Sequence, residues 1–376
     1  MVVVSTQSTS IQPVIQAAMA QPLSQQNLSS TNIISGNNFA FYEGFGDPNP
    51  VMASNLENVR KLQKALADND YHIDAKITYS VYNWLELNIE PLVLQGGPGT
   101  GKSRLVVLLA QIYNLNYYNF QCYDGVKPKD ALYRWNPSLQ DLLTKAIAAK
   151  EPENISKIKQ IIYSSDCRID GVLLRALLDP RPSLIRFDEI DKVGAEFEQG
   201  LLQVSEEGKI TISETNEEIH PISGVRVRIV GTSNAGGYGM RERLSDPFLR
   251  RCKVINLGKP SILRQFLVLK ERFPEFELDF IKEIVMFSDR LDEYVEMLKP
   301  TDFSELIKWM YSLRLSGITR LTKEVIAASI DSLAKHDLDK DNLLLQVGRI
   351  LDFIQDNKHM DIRELSRIVE ASKVNK

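Results

Sequence analysis

Residues 96–103 read Gly96-Gly97-Pro98-Gly99-Thr100-Gly101-Lys102-Ser103, followed by Arg104. This run fits G-x-x-x-x-G-K-[ST], and its context matches the pattern's physical demand. Polyphosphate needs backbone N–H groups turned inward, and glycines let a chain wrap without Cβ clashes. An apolar run at residues 91–95 precedes the turn, and a helical pattern begins at Ser103. A helix N-terminus adds partial positive charge at the same point. Lys102 supplies a point cation for β- and γ-phosphates, and the Ser103 hydroxyl is a hard oxygen donor for Mg²⁺. Further along, residues 184–191 read LIRFDEID. An apolar strand ending in Asp188 and Glu189 places both carboxylates at a strand's C-terminal edge, where open α/β sheets hold their ligands. Asp188 suits a water-mediated Mg²⁺ contact, and Glu189 suits a general base that polarises an attacking water. Arg186 breaks the apolar pattern of that strand. A third strand, within residues 227–234, ends in Thr232-Ser233-Asn234. The Asn234 amide could bond attacking water or γ-phosphate; the plainer alternative is an Asx turn into residues 235–237.

The elements that must position these groups alternate. Strands are expected at residues 91–95, 116–121, 183–189, 209–213 and 225–234, and helices at 55–69, 77–87, 103–113, 139–149, 155–163 and 196–208. Gly208 is the stop signal for the last of these. Such alternation predicts an α/β fold with a doubly wound parallel sheet. After residues 258–260, Gly-Lys-Pro, the strands stop and everything onward is helical in pattern. The expected organisation is a polar tail at 1–50, an α/β nucleotide-binding domain at 51–258, an all-α lid at 259–336 and a helical extension at 337–376.

Composition narrows the setting. A chain of 376 residues suits two or three domains, and 43% hydrophobic content supplies their cores. The net charge of −4 argues against a constitutive nucleic-acid binder, though not against a narrow basic channel. Cys122, Cys167 and Cys252 show no paired spacing and read as a reduced set, so the expected compartment is cytoplasmic. His72, His220, His336 and His359 form no metal-ligand pattern. No apolar run reaches the roughly 18 residues of a membrane span. Before Glu43 no charged side chain occurs. That Ser/Gln/Asn-rich tail lacks the basic region of a signal peptide and is expected to be disordered, apart from a short helix near 14–20.

The order of these motifs, followed by RERLSDPFLRRC at residues 241–252, resembles AAA+ ATPases. The match is nearest to the MoxR-like branch, with its CbbQ, gas-vesicle GvpN and McrB relatives. It rests also on IDGVLLRALLDPRPSLIRFDEID, on FDEIDKVGAEFEQGLLQVSEEGKITI and on NFQCYDGVKPKDALYRWN at residues 119–136. It spans roughly residues 55–335.

The resemblance implies a P-loop NTPase fold with a helical lid, ATP and Mg²⁺ as cofactors, and a homo-oligomeric, hexameric ring. It implies that Gly96–Arg104 bind nucleotide, that Ser103 and Asp188 serve the metal, and that Glu189 and Asn234 serve hydrolysis. Arg251 matches the arginine that such proteins extend into a neighbour's site. Cys252 stands where the pattern carries an aromatic, so Arg250 is the alternative, with Arg241 and Arg243 more distant. The lid arginine of the family is replaced by Thr301 within KPTD at residues 299–302, with Lys299 as a substitute. Partner-engaging loops would be the insert around Tyr133-Arg134-Trp135 and the hairpin within 209–225. Tyr133 and Trp135 could grip a polymer or pack beneath the insert. SETNEEIHP at residues 213–221 is acidic, which disfavours phosphate contacts. A protein-remodelling ATPase is the leading expectation, with a nucleic-acid motor or a nucleotide-gated scaffold of weak turnover as alternatives.

Overall fold

The computed structural model describes residues 50–149, 155–234, 244–298 and 301–366. The expected helix near 14–20, the segment 235–237, Arg241, Arg243 and Lys299 lie outside the described residues.

Helix α1 (Pro50–Ala67) and helix α2 (Ala75–Leu87) precede the sheet. Leu56, Val59, Leu62 and Leu66 repeat at helical spacing in α1, and all four are buried. Strand β1 (Leu92–Gln95) leads through the glycine loop into α3 (Lys102–Ile112), and β2 (Asn116–Gln121) follows. Then come α4 (Pro128–Ala131), β3 (Tyr133–Trp135), α5 (Pro137–Ala148), α6 (Ile155–Ile162), β4 (Arg168–Asp170), α7 (Val172–Leu177) and β5 (Ser183–Asp188). Helix α8 (Ala195–Glu207) ends on Gly208, whose φ of 67° is left-handed and costs glycine little. The hairpin β6 (Ile210–Ile212)–β7 (Glu217–Ile219), β8 (Arg228–Ser233), α9 (Asp246–Leu249) and β9 (Lys253–Asn256) complete the α/β part.

The main sheet has five strands in the order β2-β5-β8-β1-β9, and every pairing is parallel. Period-two alternation splits its strands between two cores. Leu92, Leu94, Leu184 and Val230 face α1, α2 and α3, while Val93, Ile185, Phe187 and Ile229 face α7 and α8. The expected doubly wound sheet is therefore present, with the C-terminal ends of β1, β5 and β8 side by side.

Two short ladders accompany it. Strands β3 and β4 pair antiparallel, as do β6 and β7. Each strand is three residues long; β6 falls within the strand expected at 209–213, whereas the β3–β4 pair was not anticipated, because three residues are too few for alternation to show. Neither α5 nor α6 buries any residue, so this insert stands off the body.

The C-terminal helical region consists of α10 (Ile262–Arg272), α11 (Leu278–Tyr294), α12 (Phe303–Leu315) and α13 (Lys323–Ala328), which span the expected lid, and α14 (Asp337–Asn357), which begins the expected extension. One core, centred on Phe287 and Trp309, holds them; Leu343, Val347, Ile350 and Ile354 of α14 belong to it. The lid and the C-terminal extension thus share a single packed interior. Residues 322–336 are helical in pattern, yet the α-helix breaks at Ser329. Its hydroxyl accepts the Trp309 indole N–H at 2.7 Å and donates to the Val325 carbonyl at 2.7 Å. Serine's competition for backbone acceptors ends the run there.

Candidate functional site

A cleft of about 580 Å³ lies against the C-terminal edges of β1, β5 and β8, with the lid on its far side. Pro98–Arg104, Asp188, Glu189 and Asn234 all line it. Sequence reasoning placed these groups at separate strand tips; the sheet order makes those tips neighbours.

The glycine loop is shaped by real constraints at two positions. Gly99 has φ 74° and Gly101 has φ 88°, both left-handed. A Cβ on Gly99 would lie 2.7 Å from the Ser304 nitrogen at the start of α12, and one on Gly101 would lie 2.9 Å from the Tyr71 ring. Glycine therefore lets the lid and the α1–α2 connection close directly on the loop. The Thr100 hydroxyl donates to the Gly97 carbonyl at 2.9 Å and fixes the turn.

Lys102 is buried, at 8% exposure. Its ammonium donates to the Gly96 carbonyl at 2.8 Å, the Gly97 carbonyl at 2.9 Å and the Asn234 amide oxygen at 2.9 Å. Burial pulls its pKa below the ordinary lysine range, against the opposing pull of Asp191, Asp188, Asp302 and Glu189. Asn234 is thus tied to the loop lysine, and the strand-tip amide reaches the glycine-loop side of the cleft.

The acids sit in a polar cage. Thr232 of β8 donates its hydroxyl to Asp188 Oδ1, and the same hydroxyl accepts the Glu189 backbone N–H at 3.2 Å. Asp188 Oδ2 faces the Arg186 guanidinium at 3.1 Å. Glu189 adopts φ 56°, an uncommon conformation for a side-chain-bearing residue. Its carboxylate accepts Gln121 Nε2 at 3.1 Å and forms an ion pair with Lys192. Ser103 and Asp188 present hard oxygen donors to one cleft, which fits Mg²⁺. Among the described residues no group of three or more His, Cys, Asp or Glu side chains could hold a metal unaided. Such an ion would complete its shell with phosphate and water.

Several residues here escaped sequence reasoning. Arg264 of α10 donates to the Thr100 carbonyl at 3.2 Å and lies 5.3 Å from the Tyr71 ring centroid. Tyr71 in turn donates to the Gly101 carbonyl at 3.2 Å. Arg272 of α10 also lines the cleft. Thr301 is buried and donates to the Leu333 carbonyl at 2.6 Å, so its side chain is engaged inside the lid. Asp302 and Glu305 form a reciprocal cap on α12. No short motif marks Tyr71, Thr232, Gln121 or Arg264, because each acts across the fold.

Arg250 and Arg251 are exposed at the end of α9 and do not line this cleft. Arg251 approaches Glu206 at 3.6 Å with both side chains more than half exposed. Beside them, Cys252 is buried with Phe248 in the core, and burial pushes its thiol pKa up to about 12. Tyr133 and Trp135 are half-buried. The Tyr133 hydroxyl donates to Glu214 at 3.0 Å and accepts the Ser213 N–H at 3.0 Å, while Trp135 packs edge-on to Tyr163 at 5.2 Å. Tyr133 thus ties the insert to the β6–β7 hairpin, and Trp135 packs within the insert. Only Arg134 of that trio is exposed.

Residues 91–252 match a family model described as an AAA domain of the dynein-related subfamily. No curated protein matches the chain. Among solved structures, a mutant RuvB from Thermotoga maritima is similar at 14% identity over 79% of this chain and 86% of that one, with a TM-score of 0.38. That likeness is too loose to inform the site.

Proposed function

We propose that the chain, whose residues 91–252 form an AAA domain, is a Mg²⁺-dependent ATPase working as a homo-oligomeric, hexameric ring that remodels or assembles a protein partner in MoxR-like fashion. One observation carries most of this reading. Lys102, Ser103, Asp188, Glu189 and Asn234 converge on one cleft between the sheet edge and the lid.

In this mechanism the triphosphate replaces the Gly96 and Gly97 carbonyls as acceptors for Lys102. Backbone N–H groups of the loop and the start of α3 hold the β-phosphate region. Ser103 and Asp188 would hold Mg²⁺, which would supply charge neutralisation on the phosphate oxygens. Glu189 orients and polarises water once its carboxylate turns from Lys192 and Gln121. Asn234 keeps its amide N–H groups as donors for that water or the γ-phosphate. Arg251, with Arg250 as the alternative, reaches the adjacent subunit's γ-phosphate and offsets charge as it develops. Its exposure and its distance from its own cleft support a role in trans.

Exposed Glu217 and Glu218 on the hairpin favour a protein partner over nucleic acid. The three buried free thiols support a reduced, cytoplasmic setting. A second reading, a nucleotide-gated scaffold with slow turnover, is favoured by the tethered Glu189 and by Thr301, which stands where the family's lid arginine would fall and is bonded to the Leu333 carbonyl.

Gel filtration of Glu189→Gln with and without Mg²⁺-ATP tests the assembly. The expected outcome is an ATP-dependent oligomer; a monomer at saturating nucleotide sinks the ring. Steady-state hydrolysis with candidate proteins or with DNA separates the readings. Stimulation by nucleic acid alone would replace the protein-partner reading.

A further inference from the structure

Arg186 takes no part in the chemistry above, yet it sits in the strand that carries the acids. Strand β5 lies between β2 and β8, and helices α3 and α7 pack on its two faces, so an apolar residue would suit this position. Period-two alternation puts Arg186 and Asp188 on one face, toward α3. There the guanidinium is 13% exposed. Nη2 lies 3.1 Å from Asp188 Oδ2, Nε donates to Asn119 Oδ1 at 2.8 Å, and Nη1 reaches the Ser103 carbonyl at 3.5 Å. Thr232 occupies the other Asp188 oxygen. Both oxygens of the metal-side carboxylate are thus engaged, and its charge is matched by the guanidinium beside it. Burying a guanidinium is costly unless it is paired this well.

We propose that Arg186 is a resident counter-cation for Asp188. It holds the carboxylate oriented and neutralised, and it repels a second cation. Mg²⁺ therefore gains the site only together with nucleotide phosphates, and the free Mg²⁺ needed for that is set high. Arg186 is a positioning residue acting through Asp188, and the inference rests on the Mg²⁺-ATP reading of the cleft.

The test measures binding of a fluorescent, non-hydrolysable ATP analogue to the full chain across free Mg²⁺ concentrations and in EDTA. Arg186→Met and Arg186→Gln should bind the analogue in EDTA much as the parent does. They should reach half-maximal Mg²⁺-dependent enhancement at roughly tenfold lower Mg²⁺, the scale on which outer-sphere partners tune metal sites. Arg186→Lys, which keeps the charge, should retain the parent's requirement. Arg186→Gln guards against misfolding, because its amide can still bond Asn119 and Asp188. An unchanged or raised Mg²⁺ midpoint in the neutral variants overturns the proposal, as does an equal shift in Arg186→Lys. Failure of the parent chain to bind the analogue with or without Mg²⁺ would instead overturn the nucleotide reading beneath it.

Discussion

At the scale of single residues, the cleft separates groups that read out directly from groups that act on them. In the proposed mechanism Glu189 activates water while Lys102 and the loop bind. Substituting Glu189 by Gln should leave nucleotide affinity nearly intact and slow single-turnover phosphate release by at least about 10²-fold. Unslowed release would remove Glu189 as the base. Thr232 is buried and serves both acids through one hydroxyl. Thr232→Val keeps the shape and strands the Asp188 oxygen and the Glu189 N–H, so it should cost about 1–3 kcal/mol in chemical denaturation. Thr232→Ser should recover most of that loss. A valine variant as stable as the parent would show that water replaces the hydroxyl without penalty. The acids and the lysine were legible as a contiguous pattern. Thr232 was not, since nothing in a strand-tip threonine says which neighbouring strand it will serve.

Elements explain why the loop must be glycine where it is. The start of α12 and the ring of Tyr71 approach the loop so closely that a methyl at Gly99 or Gly101 meets atoms at 2.7 or 2.9 Å. Gly99→Ala should push α12 off the loop and weaken nucleotide binding more than it lowers global stability; equilibrium binding beside a melting curve checks this. Parent-like affinity would mean the lid start yields freely. Helix boundaries in the α/β part were largely readable: the Gly208 stop and the buried apolar spacing of α1 agree with expectation. Three-residue strands were less readable, and the break at Ser329 depends on Trp309, which lies 20 positions away. Trp309→Ala should cost about 3–5 kcal/mol, because it empties the lid's centre and removes the indole donor to the Ser329 hydroxyl. The measurement is denaturant unfolding of the whole chain.

For the whole molecule, the lid and the α/β body meet across the cleft through Arg264, which bonds the Thr100 carbonyl and stacks near Tyr71. Between subunits, Arg251 would carry the proposed trans contact. Alone, Arg251→Ala should change stability by under about 0.5 kcal/mol, because its pairing with Glu206 is long and exposed. Mixed with Lys102→Ala subunits, it should regain part of the lost hydrolysis, since each variant supplies what the other lacks. No rescue at any mixing ratio would remove Arg251 from that role and leave Arg250 to be tried in the same assay.

The sequence by itself determined the local chemistry of this protein. A glycine-rich turn between an apolar run and a helix, and acids ending an apolar strand, are short-range patterns whose physics acts within a few residues. It also determined the parallel α/β class, because alternation of strands and helices leaves few other ways to bury both sheet faces. Tertiary structure alone decided what those groups touch. It set Asn234 against Lys102, closed Arg264 and Tyr71 over the loop, turned Thr301 into the lid, tied Tyr133 to the β6–β7 hairpin, packed Trp135 within the insert, and gave Arg186 a carboxylate to neutralise. Those contacts join residues far apart in the chain, and they follow from strand order and lid packing, which no local pattern encodes.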